Sequence, residues 1–184
     1  MAEINVAVLV GSLRRRSINR LLALALEGLG KGRLEFIYPD LDLPLYNDDL
    51  WSDPPAGVLK LKECVEGADA ILFLTPEYNR SLSPVIKNAI DWGSRPWGRN
   101  SWARKPAAVA GASPGQIGTA VAQAHLRAVL LSQDMMLMGQ PELYFSRAAE
   151  IADDGQIQDE EVKQFLANFV AKFEDWILRT GATG

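Results

Sequence analysis

Residues 4–19 read INVAVLVGSLRRRSIN, and this segment decides the fold class. Its first seven residues are mostly apolar and do not alternate with polar ones, which is typical of a strand buried on both faces of a parallel sheet. Gly11 then allows the chain to turn sharply off the strand. The apolar spacing from Ile18 onward predicts a helix that begins near Ser17. A buried strand, a short loop and an amphipathic helix together indicate the first half of a βαβ unit.

The alternation of strands and helices continues along the chain. Four further apolar runs predict strands at Leu34–Ile37, Ala70–Leu74, residues 107–111 and Leu143–Phe145. Helical spacing is clearest over residues 162–177, where Asp159 is placed to cap the helix. Residues 40–55, with three prolines and five aspartates, are predicted as one long surface loop. We therefore expect an α/β fold, a doubly wound five-stranded parallel sheet with helices on both faces, in a single domain over residues 1–184.

The composition is that of an ordinary globular protein. The chain has 184 residues, of which 48% are apolar and 23% charged, enough for one domain with a sizeable core. Its net charge of −4 provides no positive field for nucleic acid, and its apolar runs are far shorter than the roughly 20 residues that span a bilayer. Cys64 is the only cysteine, which fits a reducing compartment. Since no signal-peptide pattern precedes Ile4 either, we expect a cytoplasmic protein without nucleic-acid or membrane partners.

The loop at residues 11–19 is the first candidate binding site, because ligands of open parallel sheets bind at the carboxyl ends of the strands. It places the hydroxyls of Ser12 and Ser17, the Asn19 amide and a run of three arginines at a helix N-terminus. Unpaired N–H groups and a partial positive charge at such an end favour a phosphate. The loop has neither the Walker A lysine nor the Gly-x-Gly-x-x-Gly pattern, which disfavours a P-loop site and a Rossmann-type dinucleotide site. A capped helix with solvated arginines and no ligand is the alternative, and a nucleic-acid patch is weaker still.

Two more loops follow buried strands. Residues 75–84 combine an aromatic ring, an amide and a carboxylate, which can lie along the edge of a planar heterocycle; otherwise they form an ordinary connection with Ser83 as the helix cap. Residues 111–119 have little bulk at Ser113 and Gly115, so a flat ligand can approach the backbone; otherwise they form a Pro-Gly turn. Three such loops at one edge of the sheet would converge on one site.

Together these segments resemble the NADPH-dependent FMN reductase family, in particular its bacterial quinone and chromate reductase branch. The matching segments are residues 11–14 with Ser17 and Asn19, residues 76–79, residues 87–92, and Ser113 with Gly118. The resemblance covers nearly the whole chain and implies a flavodoxin-like fold with bound FMN. It also implies which residues hold the cofactor. Ser12, Arg14, Ser17, Ile18 and Asn19 would hold its phosphate; Pro76, Glu77, Tyr78 and Asn79 would border the isoalloxazine ring and polyol; Ser113 and Gly115 would contact the pyrimidine side.

The reaction that the resemblance implies has two halves and ping-pong kinetics. Hydride passes from NAD(P)H to FMN, and electrons then pass to a quinone, chromate, a ferric complex or a similar acceptor. Because the flavin carries the chemistry, we expect no catalytic acid, base or nucleophile in the protein, and no metal site. Asp91, Trp92 and Arg95 would lie near the open face of the flavin, where Arg95 could steer an anionic substrate or the NADPH phosphates. Arg80 and the segment 95–105 receive no role.

The remaining reactive residues are expected to be structural. His125 is the only histidine and lies in a helical stretch, and Cys64 has no Cys-x-x-Cys partner. Residues 117–133 predict a helix with apolar residues on two faces, which is typical of a helix buried on both sides. We interpret one of these faces as a subunit contact, and the resemblance implies a homodimer or homotetramer.

Other functions are compatible with the same fold. A flavodoxin-type electron carrier usually has an acidic rim around its flavin, whereas the first loop here is basic. A phosphatase that used this loop would need a cysteine or aspartate nucleophile, and residues 11–19 contain neither. A binding module without enzymatic activity is the third possibility, if no cofactor binds.

Overall fold

The computed structural model describes residues 3–181, and in it a parallel sheet forms the centre of the chain. Its strands are β1 (Ile4–Val10), β2 (Leu34–Ile37), β3 (Ala70–Leu74), β4 (Pro106–Ala112), β5 (Met136–Leu137) and β6 (Leu143–Phe145). They follow the order β2-β1-β3-β4-β5, and β6 also pairs with β4. All these pairings are parallel, so the predicted doubly wound sheet is confirmed.

The fifth position of the sheet is divided between two short strands. β5 pairs with the beginning of β4, where Met136 lies opposite Pro106, and β6 pairs with its end, where Phe145 lies opposite Ala112. The sequence predicted only the second piece, because two residues are too few to show a strand pattern.

Helices cover both faces of the sheet, as predicted. They are α1 (Ile18–Gly30), α2 (Ala56–Gly67), α3 (Pro84–Gly93), α4 (Ala120–Ser132) and α5 (Glu160–Gly181), with two short 3-10 helices at Asp48–Ser52 and Ala148–Glu150. One core lies between the sheet and α1 and α5, and the other lies between the sheet and α2, α3 and α4. Residues of β1 alternate between the two cores, with Val6 and Val8 in the first and Ala7 and Leu9 in the second. This alternation explains why these four residues are all apolar.

Side-chain caps fix the start of three helices. The Oγ of Ser17 accepts from Arg20 N at 3.3 Å at α1, and the Oγ of Ser83 accepts from Val85 N at 3.1 Å at α3. Asp159 accepts from Val162 N at 2.9 Å and caps α5, as predicted. These caps place the first turns of α1 and α3 beside the ends of β1 and β3.

Two predicted boundaries differ from the structure. The helix expected over residues 117–133 begins only at Ala120, because Gly118 has a φ of 62° and a backbone turn precedes the first helical residue. The loop expected over residues 40–55 contains the 3-10 helix Asp48–Ser52, whose first turn is capped by the side chain of Asn47.

Candidate functional site

The three loops predicted to bind a ligand converge at the carboxyl edge of the sheet. They line a cleft of about 100 Å³, formed by Ser12, Arg14, Ser17, Ile18 and Asn19 after β1, by Pro76, Glu77 and Tyr78 after β3, and by Ala112, Ser113 and Pro114 at the end of β4. A second cleft of about 320 Å³ is lined by Glu77, Asn79, Arg80, Ser113 and residues 115–118. The two clefts share Glu77 and Ser113, so they form one elongated site. Every residue predicted to bind the cofactor lines one of them.

The end of this site beside α1 has the donors that a phosphate requires. Ser17 is the N-cap of α1, and Ile18 and Asn19 are its first two residues, whose backbone N–H groups precede the first intrahelical bonds. Ser12 and the exposed Arg14 complete the lining of the cleft. Hydroxyl groups, a helix N-terminus and a guanidinium group suit a phosphate dianion, so this donor set fits FMN.

Asn19 uses its side chain differently from the prediction. Its Nδ2 donates to the carbonyl of Ala112 at 3.0 Å, and its Oδ1 accepts from the Ala112 N–H at 2.8 Å. The side chain is almost fully buried, at 1% exposure. Its carboxamide therefore joins the start of α1 to the end of β4, and what Asn19 can offer an anion is its backbone N–H.

A tight turn shapes the loop after β3. Tyr78 and Ser81 exchange backbone hydrogen bonds of 3.1 and 3.0 Å, and Asn79 and Arg80 between them have φ values of 51° and 64°. Two central residues with positive φ define a type I′ turn, in which asparagine is favoured and arginine is not. Arg80 also pairs with Glu77 at 3.0 Å. The sequence analysis gave Arg80 no role. The signal that could have indicated this ion pair is the spacing of three residues between the opposite charges of Glu77 and Arg80.

Glu77 joins the loop after β3 to α4. Its Oε2 accepts from the backbone N–H groups of Val121 and Ala122, at 3.1 and 3.2 Å, in the first turn of α4. Its side chain is only 8% exposed. Glu77 therefore lines both clefts, and its carboxylate is engaged by the protein.

Gly111 allows the loops after β3 and β4 to approach each other closely. A Cβ atom at this position would overlap the carbonyl oxygen of Thr75 and the side chain of Thr119. Both threonines are fully buried. The two loops are therefore packed against each other without space for a side chain.

Asp91, Trp92 and Arg95 do not line either cleft. Asp91 and Trp92 lie in the last turn of α3 and Arg95 lies just beyond it, whereas the cleft residues of the loop after β3 precede the amino end of that helix. Asp91 pairs with Lys87 at 2.7 Å. Trp92 is fully buried and donates from Nε1 to the carbonyl of Pro44 at 2.8 Å. The Trp92 ring therefore packs in the interior against the loop that follows β2, and no part of it is exposed in this chain.

The segment 95–105 is fixed by a buried lysine of α2. Lys62 Nζ donates to the carbonyls of Gly93 and Arg99, at 3.2 and 2.9 Å, and to Ser101 Oγ at 2.6 Å. Burial lowers the pKa of Lys62. Trp102 is fully buried, whereas Trp97 is 89% exposed, with the Arg95 guanidinium 5.6 Å from its ring centre. This segment is thus a well-anchored loop with an exposed aromatic tip.

His125 and Cys64 are the remaining residues with reactive side chains that the sequence analysis considered. His125 is exposed on α4, with Nδ1 3.2 Å from Ser81 Oγ. Cys64 is a free thiol in α2, and burial raises its pKa. Within residues 3–181, His, Cys, Asp and Glu side chains form no cluster of three or more that could hold a metal. In the same residues, no helix is both long and apolar enough to cross a membrane.

Comparison with known proteins shows which family this chain matches. The sequence model of the NADPH-dependent FMN reductases matches residues 4–150. A 2-hydroxy-1,4-benzoquinone reductase of Burkholderia sp is 45% identical over 176 residues, which are 95% of this chain and 96% of that protein. A quinone reductase of Pseudomonas putida is 43% identical, covering 94% of each.

A solved structure agrees with these sequence matches. FerB, a flavoenzyme NAD(P)H:(acceptor) oxidoreductase from Paracoccus denitrificans, superposes with a TM-score of 0.93 at 52% identity, covering 96% of this chain and 98% of that one. The fold is therefore flavodoxin-like, as expected. On the matches to residues 4–150 and to near full-length relatives, this chain belongs to the NADPH-dependent FMN reductase family.

Proposed function

We propose that this protein is an FMN-dependent NAD(P)H:quinone oxidoreductase whose cofactor lies along the two joined clefts. The observation that carries the proposal is the convergence of the three loops, with phosphate donors at one end and a wider cleft at the other. Membership of the FMN reductases supports FMN as the cofactor. The relatives named as quinone reductases support a quinone as the acceptor.

The phosphate end of the site anchors the cofactor. Ser12 and Ser17 offer hydroxyls, Arg14 offers charge, and the first N–H groups of α1 complete the donors. At the other end, Pro76 and Tyr78 border the space for the ring and polyol. Asn79, Ser113 and Gly115 line the wider cleft, where only the Ser113 hydroxyl lies near the position that a Gly115 Cβ would take, so the backbone there is accessible to a flat ring.

When bound, FMN would supply the redox chemistry, accepting a hydride from NAD(P)H and passing electrons on. The protein's task is then to position the cofactor and its substrates and to exclude competing reactions. None of the residues that line the two clefts is a histidine or a cysteine. Glu77, the one acidic residue among them, is engaged by α4 and Arg80. We therefore assign the redox chemistry to the cofactor and no acid, base or nucleophile role to these residues. We infer that the nicotinamide and the acceptor use the same open side of the site in turn, which gives ping-pong kinetics.

The flavodoxin-type carrier is not favoured. Next to the phosphate end of the site lie three exposed arginines, Arg14, Arg15 and Arg16. Their positive charge is opposite to that of the acidic rim typical of a carrier. A carrier would also require a separate reductase, whereas the proposed enzyme oxidises NAD(P)H itself.

The test uses the purified protein. We expect the visible absorption of bound flavin, oxidation of NADPH or NADH with 1,4-benzoquinone as acceptor, and parallel lines in double-reciprocal plots. A protein that neither carries nor takes up FMN would refute the proposal. A protein that binds FMN but oxidises neither nicotinamide would favour the carrier.

Arg95 and Asp91 are proposed to act in substrate binding, Arg95 by attracting an anionic substrate or the NADPH phosphates. Its half-buried position beside the exposed Trp97 supports a role at the surface rather than in the core. We expect Arg95→Ala to raise KM for NADPH or for an anionic acceptor with little change in the bound flavin spectrum. Arg99→Ala, an exposed arginine on the same segment, is the matched control. Unchanged steady-state constants in Arg95→Ala would exclude the role.

We further propose that the protein acts in the cytoplasm as a homodimer that can pair into a homotetramer. The outward face of α4 supports a subunit contact, because Ala124, Ala128 and Leu131 on it are exposed and the face carries no acidic residue. Light scattering should give a multiple of the 20.2 kDa chain mass. Ala124→Glu should lower that mass, whereas Gln164→Glu, at an exposed position of α5, should not.

A further inference from the structure

The start of α4 lacks a cap from its own sequence. Thr119 is the N-cap residue, and its side chain makes no capping hydrogen bond. The donors of Val121 and Ala122 are instead accepted by Glu77, which is more than forty residues earlier in the chain. A carboxylate at a helix N-terminus is stabilised by the partial positive charge there and cancels much of it. Glu77 therefore determines both the position of its loop and the electrostatic field at the start of α4.

The location of Glu77 makes this field relevant to the cofactor. Glu77 and Ser113 are the two residues that line both clefts, so Glu77 lies at the middle of the elongated site. Residues 115–118, which line the wider cleft, lead directly into α4. With its side chain 8% exposed, the charge of Glu77 is poorly screened by water, whereas its partner Arg80 is 66% exposed.

We propose that Glu77 is a positioning residue whose charge lowers the reduction potential of bound FMN. This inference rests on the proposed function. Transfer of a hydride to FMN would add two electrons and one proton, and so one net negative charge, to the cofactor. A buried carboxylate beside the site opposes that added charge. It also cancels the positive end of α4, which would otherwise favour the charge. Both effects stabilise the oxidised cofactor relative to the reduced one and make the reduced cofactor a stronger donor to the acceptor.

The first test is Glu77→Gln, which keeps the size and one oxygen acceptor but removes the charge. The readouts are the midpoint potential of bound FMN, from equilibrium titration against a redox dye, and the dissociation constant of oxidised FMN for the apoprotein. At the wild-type midpoint potential we expect the reduced-to-oxidised ratio to rise about tenfold, as for a unit charge removed at roughly 10 Å with an effective dielectric constant near 20. Unfolding of the apoprotein is measured alongside, because the loop loses part of its tie to α4.

Two further variants separate charge from structure. Glu77→Asp keeps the charge and shortens the reach, so it should restore most of the wild-type potential even if the apoprotein is less stable. Arg80→Gln removes the exposed cation of the same ion pair, so it should lower the reduced-to-oxidised ratio of bound FMN at the wild-type midpoint potential. The change should be only about twofold, because solvent screens the Arg80 charge.

The outcomes are distinct. A Glu77→Gln protein that binds FMN at the wild-type potential overturns the inference, as does an Asp variant with the potential of the Gln variant. If Glu77→Gln does not fold, the Arg80→Gln result decides, and a raised or unchanged potential overturns the inference. A wild-type protein that does not bind FMN refutes the proposed function, and this inference with it.

Discussion

The substitution Asn19→Ala tests whether the carboxamide clamps the two loops or binds the cofactor. It removes two buried hydrogen bonds, of 3.0 and 2.8 Å, and leaves the N–H and the carbonyl of Ala112 without that partner. An unsatisfied buried polar group costs about 1–3 kcal/mol, so we expect a loss of about 3 kcal/mol in the free energy of unfolding. For a chain of this size such a loss corresponds to a decrease in Tm of about 6–12 °C.

The assay is urea unfolding of the apoprotein followed by far-UV circular dichroism, because any loss there is independent of FMN. The midpoint should fall while the m value stays constant. Ser12→Ala is the matched control, since Ser12 lines the phosphate end but is only half-buried. It should weaken FMN binding and leave the unfolding of the apoprotein unchanged. If Asn19→Ala unfolds within 0.5 kcal/mol of the wild type while FMN binding is lost, the clamp is wrong and Asn19 is a direct ligand.

Three further predictions concern the supports of the site. Gly111→Ala should cost about 3 kcal/mol of unfolding free energy, because its Cβ would overlap neighbouring atoms, whereas Gly139→Ala, with open space around it, should be nearly neutral; equal urea midpoints would contradict this. Lys62→Met keeps the apolar stem but removes three hydrogen bonds of the ammonium group, to the Gly93 and Arg99 carbonyls and Ser101 Oγ, so it should cost about 2 kcal/mol against almost nothing for the exposed Lys60→Met, as measured by thermal unfolding. The thiol of Cys64, with its raised pKa, should react with iodoacetamide at pH 8 several-fold more slowly than free cysteine, and a rate equal to that of free cysteine would be inconsistent with its burial.

The predicted elements that agree with the structure are those whose signal is local. The buried strands at Ile4–Val10 and Ala70–Leu74 are unbroken apolar runs, and the caps at Ser83 and Asp159 stand directly before their helices. Because each loop follows a strand of one parallel sheet, the convergence of the ligand-binding loops also followed from sequence.

The residues whose roles differ are those with distant partners. Asn19 bonds Ala112, Glu77 bonds the start of α4, and Trp92 bonds the carbonyl of Pro44. In each case more than forty residues separate the partners, and nothing in the local pattern indicates the pairing. The side chains of Asn19, Glu77 and Trp92 were therefore predicted to contact the ligand because they lie near a binding motif. In the structure they form hydrogen bonds within the protein.

The division of the fifth strand position also bears on self-association. A long, regular edge strand offers unpaired N–H and carbonyl groups as a template on which another chain can add, which leads to aggregation. Here one edge of the sheet is β2, with four residues, and the other consists of β5 and β6, with two and three residues. The central part of β4 has no pairing from either piece, since the register passes from Ala107 opposite Leu137 to Ala110 opposite Leu143. A foreign strand would find a template of only four residues at β2 and no continuous ladder at the other edge, so we expect neither edge to favour the addition of another chain.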